Sequence, residues 1–247
     1  KLNLNFNNMI TRLKRQQDKL LVTERYEAWE TVARKLAHEI KNPLTPIQLS
    51  LDRLKEKYST KIGDGKSEFN EYLQTINRQI KDIEKLVNEF SNFARMPRPV
   101  IKKINLNEVI IRSINFLKIS SKSKILFNKN NKSNFIMGDE DQLYRVFINI
   151  IKNADESIEE ILNKKPKYEG KIEIDIFTNK DYIISTIKDN GEGISDTKKV
   201  MTPYFTTKKK GTGLGLPIVN KIINEHSGEF VIKKDKGTTI EIWLPSI

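Results

Sequence analysis

Cysteine is absent from the 247 residues, which removes disulfides and thiolate zinc sites from consideration. No apolar run approaches the roughly 18 residues that span a bilayer. Arginine is scarce, 10 residues against 34 lysines, and the lysines are scattered through every segment. Recognition of phosphates and bases favours arginine's rigid fork concentrated on one face. The net charge of +12 therefore reads as compositional drift, and no nucleic-acid partner is expected. No Gly-Lys-Ser/Thr follows the glycine-rich stretch near residue 211, which excludes a Walker loop. Internal repeats are also missing. Scarcest of the reactive side chains is histidine, with only His38 and His226.

What surrounds His38 makes it informative. Trp29, Ala33, Leu36, Ile40, Leu44, Ile47, Leu51 and Leu54 recur at helical spacing and predict one buried stripe. At about 100° per residue those positions fall within roughly 40° of a common direction, and His38 lies about 160° away. Asn42 stands one turn on, on the same exposed side. A core histidine belongs on the stripe. This one is either an idle surface residue or one presented to another molecule.

Residues 1–58 read as near-continuous helix, with a kink expected after Asn42 because Pro43 and Pro46 each remove a backbone donor. Leu2, Phe6, Met9, Ile10 and Leu13 are already in pattern, so a longer natural chain is expected upstream. A turn over 61–67 leads to a second helix, where Phe69, Leu73, Ile76, Ile80, Ile83, Val87 and Phe90 form a heptad seam. Two such helices make an antiparallel hairpin, and pairing with a second copy into a four-helix bundle would cover the apolar surface the hairpin leaves wet. Residues 95–99 read as a linker. Beyond it, Asn107 is placed as a helix cap, Asp139 with Gln142 as a capping box opening a helix to about residue 163, and His226 as a structural residue whose charge suits a helix C-terminus. Segments 124–128, 171–178, 182–188, 229–233 and 238–244 alternate as half-buried strands do. The expected fold is multidomain: an all-α hairpin forming a dimeric four-helix bundle, then an α+β sandwich with helices on one face of a mixed sheet.

Four clusters in the second half can carry chemistry. Asn149 and Asn153, four apart, share a helix face; they fit an ordinary helix surface, or amide oxygens for a hard cation already bound to phosphate. Asp189-Asn190-Gly191-Glu192-Gly193 follows a strand and fits a plain turn, or a carboxylate accepting from an amino group beside glycines that admit a flat ring. Pro203-Tyr204-Phe205-Thr206-Thr207-Lys208 is a polar-aromatic loop. Gly211-Thr212-Gly213-Leu214-Gly215-Leu216-Pro217 opens a helix whose N–H groups can face phosphate. A lysine-rich loop rather than a strand precedes it, so a dinucleotide site is disfavoured.

His38-Glu39-Ile40-Lys41-Asn42-Pro43 and these four clusters stand in the order and spacing of the sensor histidine kinases, matching that family's H, N, G1, F and G2 boxes. The resemblance covers residues 24–247. Around His38 it is similar to the nitrogen-regulation NtrY-like subgroup, and residues 1–22 resemble the closing helix of a HAMP relay module. The implied domains are a HAMP-like end over 1–27, a dimerisation and phosphotransfer domain over 28–97, and an ATP-binding domain of the Bergerat (GHKL) type over 98–247.

By this resemblance His38 is the nucleophile toward the ATP γ-phosphate, Glu39 its neighbouring base, and Asn42 the residue that orients water when a partner is dephosphorylated. Asn153 corresponds to the Mg²⁺ ligand with Asn149 near it, and Asp189 to the acceptor of the adenine amino group. Gly191, Gly193, Ile194, Thr207, Gly211, Thr212, Gly213, Leu214, Gly215, Leu216 and Thr238 are implied to flank the nucleotide, with Lys152, Lys208 and Arg145 offering charge to phosphate. Residues 194–211 correspond to a lid, short here. The implied partners are a second copy and the receiver domain of an NtrX-like response regulator. The implied setting is the cytoplasmic side of a bacterial inner membrane, anchored only through upstream segments, with this chain itself soluble. Two rivals remain: an ATPase of the gyrase, chaperone and mismatch-repair group, for which Glu156 is a poor water activator because it follows the second asparagine, and a scaffold acting mainly as a phosphatase.

Overall fold

The computed structural model describes residues 35–37, 39–59, 61, 66–94, 96–129, 134–194, 196–197, 199–208 and 211–247. The expected relay helix, Trp29, Ala33 and His38 lie outside the described residues. The chain divides into two compact units, Lys1–Met96 and Pro97–Ile247.

In the first unit a helix α1, helical at 35–37 and 39–58, is followed by α2, Lys66–Ala94. Sevenfold recurrence selects the core: Ala37, Leu44 and Leu51 on α1 and Leu73, Ile80 and Val87 on α2 are buried. Leu44, Leu51, Leu73 and Ile80 pack together with Phe69 against them. Gln48 Nε2 donates to Asn77 Oδ1 at 2.7 Å and ties the two helices. The expected stripe is buried only in part: Leu36, Ile40, Ile47 and Leu54 are 39–46% exposed. One neighbouring helix can shield one flank of a stripe this wide, and Ile76 and Ile83 on α2 are exposed for the same reason. Helical structure runs unbroken through Pro43 and Pro46, although neither supplies the N–H that would pair with the carbonyls of Glu39 and Asn42.

The second unit orders its elements as β1 (Lys102–Asn105), α3 (Leu106–Lys118), β2 (Lys124–Asn128), β3 (Phe135–Gly138), α4 (Glu140–Lys164), β4 (Lys171–Asn179), β5 (Tyr182–Asp189), a 3₁₀ turn (Lys199–Met201), α5 (Gly215–Glu225), β6 (Glu229–Lys234) and β7 (Thr238–Pro245). Five strands form a mixed sheet in the order β2-β4-β5-β7-β6, in which only β2 and β4 pair in parallel. β1 and β3, not expected from the sequence, form a separate antiparallel ribbon. α4 packs on β4 and β5, with α3 and α5 beside it. Alternation buries Ile172, Ile174 and Ile176 on β4, facing Phe147, Ile150, Ile151 and Ile158 of α4. Such side chains contribute about 1.5–3 kcal/mol each on burial.

Two caps differ from expectation. Asn105, not Asn107, caps α3: its side chain accepts from Asn107 N at 3.2 Å, while buried Asn107 accepts from Asn134 Nδ2 at 2.9 Å. At α4, Asp139 Oδ1 accepts from Gln142 N at 3.0 Å as a cap should. The reciprocal half of the box is not made, because Gln142 Nε2 donates to Pro97 O at 2.8 Å. Asp139 N donates instead to His226 Nε2 at 2.8 Å. Asp139 Oδ2 also accepts from Val100 N at 2.8 Å, so the incoming chain is pinned to the first turn of α4.

Candidate functional site

Helix α4 is the wall on which the site is assembled. Val146, Phe147, Ile150, Ile151 and Ala154 are buried as the spacing predicts, which leaves Asn149, Asn153 and Glu156 half-buried at the edge. Three loops reach that edge.

The first follows β5. Asp189, 6% exposed, accepts on Oδ1 from Gly191 N at 2.8 Å and Thr238 N at 3.3 Å, and the Thr238 hydroxyl also bonds to it. Burial pushes its carboxyl above the usual range, against those hydrogen bonds and the charge of Lys208. Asn190 braces the corner: its Oδ1 accepts from Lys171 N and its Nδ2 donates to Glu169 O, both at 2.8 Å. Gly237 is required here, since a Cβ on it would stand 2.1 Å from the Asp189 carbonyl oxygen. Ile194, half-buried, continues this loop.

The second is the 203–208 loop. Tyr204 has a positive φ of 68°, and its N–H donates to Gly213 O at 3.1 Å; burial pushes its phenol up to about 12. Lys208 leaves the loop and reaches α4, donating to Glu156 Oε2 at 2.8 Å and Asn153 O at 3.1 Å. Thr207 beside it is exposed. Lys152 stands 3.9 Å from Glu156 and is 55% exposed.

The third is the glycine loop. Gly211 N donates to Lys208 O at 3.1 Å, Thr212 is half-buried, Gly213 has φ +68°, and Leu214 is 2% exposed. Leu214 occupies the cap of α5 without a side-chain cap bond, so the first-turn N–H groups, including that of Leu216, are offered without a capping acceptor. A Cβ on Gly215 would lie 3.3 Å from Asn149 Oδ1 and 3.6 Å from Asn153 Nδ2. Asn149 Nδ2 donates to Arg145 O at 2.8 Å, which turns its oxygen toward α5.

These contacts bring Gly191, Lys208 and Gly215 against α4 beside Asn149 and Asn153, with Asp189 and Thr238 bonded at the Gly191 corner. They fit an adenine nucleotide: a buried carboxylate, uncapped N–H groups, a lysine and two amides are gathered about α4. Glu39 and Asn42 lie exposed on α1 in the first unit. Ser157 and Gly237 belong to this rim and were not expected from the sequence, whereas Asn190 stood in the Asp189–Gly193 cluster and Glu156 was weighed only as a poor water activator. Only Gly237, standing before the Thr238 strand, carries a local signal; Ser157 is identified by the absent Cβ of Gly191, which would lie 2.4 Å from its Oγ.

Residues 28–99 match the His Kinase A (phospho-acceptor) domain, and residues 138–247 match the histidine kinase-, DNA gyrase B- and HSP90-like ATPase. The chain is 40% identical over 242 residues to an NtrY-like sensor histidine kinase of Rickettsia prowazekii, covering 96% of this chain and 39% of the relative. It is 39% identical to the nitrogen regulation protein NtrY of Azorhizobium caulinodans, over 85% of this chain and 27% of that one. It thus spans about two fifths or less of the length of these relatives. The catalytic domain of histidine kinase ThkA superposes with a TM-score of 0.51 at 27% identity, covering 59% of this chain and 95% of that domain. Full-length ShkA, solved with AMPPNP, shares the fold at a TM-score of 0.63 and 18% identity, over 87% of this chain and 45% of its own.

Proposed function

This chain belongs to the sensor histidine kinases of two-component systems, and we propose that it phosphorylates His38 from ATP and passes the phosphoryl group to an aspartate of a response regulator. The observation that carries the reading is the rim on α4, where the loop after buried Asp189 and the uncapped start of α5 both pack against the helix that bears Asn149 and Asn153.

Asp189, oriented by the N–H groups of Gly191 and Thr238, accepts from the adenine amino group. The first turn of α5 and Lys208 hold the phosphates. Asn153, with Asn149 beside it, offers a neutral amide oxygen to Mg²⁺, which when bound neutralises developing charge on the phosphates. A free imidazole lone pair on His38 attacks the γ-phosphorus; the N–P bond forms as the bond to the ADP oxygen breaks. Glu39 keeps the ring in the state that holds that lone pair. Asn42 orients water in the reverse, phosphatase role. The regulator is a receiver domain of the NtrX-like kind.

We further propose that two copies pair. Leu36, Ile40, Ile47 and Leu54 on α1 and Ile76 and Ile83 on α2 are one flank of the two seams, 39–46% exposed in the single chain. A second hairpin covers that flank and completes four helices around one core. Among the described residues no helix is long and apolar enough to cross a membrane; the proposed attachment to the inner membrane, through a HAMP-like relay, uses segments upstream.

Incubation with γ-labelled ATP tests the reading. Label that is acid-labile and absent from His38→Ala is the expected result, and free phosphate released equally by parent and variant would identify an ATPase instead. Asn42→Ala is expected to keep self-phosphorylation and lose dephosphorylation of the regulator.

A further inference from the structure

Glu156 has no part in the kinase reading so far, and it stands in the wrong place to activate water. Its side chain is nevertheless the only carboxylate among the described residues that pairs with Lys208. Lys208 is 26% exposed at its side chain and places its ammonium 2.8 Å from Glu156 Oε2 and 3.1 Å from the carbonyl of Asn153. Both partners lie on α4, within one turn of each other and of the face that Asn149 and Asn153 present to Gly215.

We infer that Glu156 is a positioning residue for phosphate: it fixes the Lys208 ammonium on α4 beside Asn153, so that the enzyme distinguishes a triphosphate from a nucleotide with a short phosphate chain. A lysine on a loop is a flexible point charge, and holding it costs side-chain entropy each time a ligand arrives. Here two acceptors on a rigid helix hold it before the ligand does. An ammonium has three donors; two are used, and one stays available. The loop is fixed locally as well: Lys208 N donates to Thr206 Oγ1 at 3.1 Å and Lys208 O accepts from Gly211 N at 3.1 Å. Lys152, at 3.9 Å and more exposed, is a looser second neighbour of the same carboxylate.

This inference rests on the proposed ATP site, and its test separates the two. Equilibrium binding of ATP, ADP and AMP with Mg²⁺ is measured on the whole chain for parent, Glu156→Ala, Lys208→Ala and the double variant. The expected result is AMP affinity unchanged and ATP affinity about tenfold weaker in Glu156→Ala, the scale of one charge-assisted hydrogen bond. The double variant is expected to match Lys208→Ala alone, because Glu156 acts through the lysine. Glu156→Asp, able to reach again with a shorter arm, is expected to recover part of the loss. Additive losses in the double variant, or equal losses for AMP and ATP, would overturn the inference. Tighter ATP binding by Glu156→Ala would overturn it too, since Glu156 would then merely compete with phosphate. A parent chain that binds none of the three nucleotides would instead remove the ATP site itself.

Discussion

Replacing His226 with glutamine should flatten the pH dependence of the second unit's stability between about pH 5 and 7.5. The ring is 5% exposed, its Nδ1 faces Ile222 O at 2.8 Å, and its Nε2 accepts from Asp139 N at 2.8 Å. That pattern requires the neutral tautomer with hydrogen on Nδ1. The cationic, dipole-favoured histidine expected from sequence is therefore not what the fold holds. Burial lowers its pKa, against the hydrogen bond to Ile222 and the charge of Asp139. A folded value below the unfolded value of about 6.5 means that the unfolded chain binds the proton first. The stabilisation is complete above about pH 6.5 and is lost as pH falls through the folded value. Stability then rises with pH at a limiting slope of about 1.4 kcal/mol per unit for one proton. Protonation would aim an Nε2–H at the Asp139 N–H, so the loss on acidification is on the order of 1–3 kcal/mol, the cost of a buried hydrogen bond broken. Urea unfolding between pH 5 and 7.5, followed by Trp243 fluorescence in a Trp29→Phe background, measures it. His38 is the only other histidine. An equal slope in parent and His226→Gln would refute the argument.

Asp189→Asn should bind ATP on the order of tenfold or more weakly, as a charge-assisted acceptor is lost. Because burial raises the folded pKa of Asp189, its ionisation opposes folding as pH rises through that value, so the variant should also melt higher than parent at pH 7.5; calorimetry with and without nucleotide checks both. Ser227 has φ 56° at the end of α5, where its N–H bonds Asn224 O and that of Gly228 bonds Ile223 O. This is a Schellman turn with a non-glycine at its left-handed position, and Ser227→Gly is expected to gain about 0.5–1 kcal/mol in urea unfolding. Ile47→Glu with Ile83→Glu should yield a monomer in sedimentation while nucleotide binding in the second unit persists; an unchanged dimer would reject the exposed seam as its interface.

The periodic elements were legible where one face is buried and the other wet. β2 is bounded as its alternation predicts, and α4 and the four antiparallel strands end within a residue or so of expectation. β1 and β3 were not legible, because each has only four residues and β1 has an exposed start, too short for alternation to register. Two asparagines, Asn105 and Asn107, can both cap α3, and the choice is made by Asn134 taking Asn107 into the interior. The site divides in the same way. Its motif residues are local in sequence, and their clustering shows in the chain. The contacts that assemble it join residues far apart, as Lys208 to Glu156, Gly191 to Ser157 and Gly237 to Asp189 do. Such pairs follow from how α4 lies against the sheet and leave no short-range pattern.

The tie between the entering chain and α4 has a mechanical consequence. Pro97 and Val100 are fastened to Gln142 and Asp139, at the first turn of α4, and the amides of Asn149 and Asn153 stand two to four turns further along the same rod. A pull on the backbone at Pro97 would therefore bear on the first turn of that helix. The anchor of the entering chain and the amide edge of the site lie on one continuous helix.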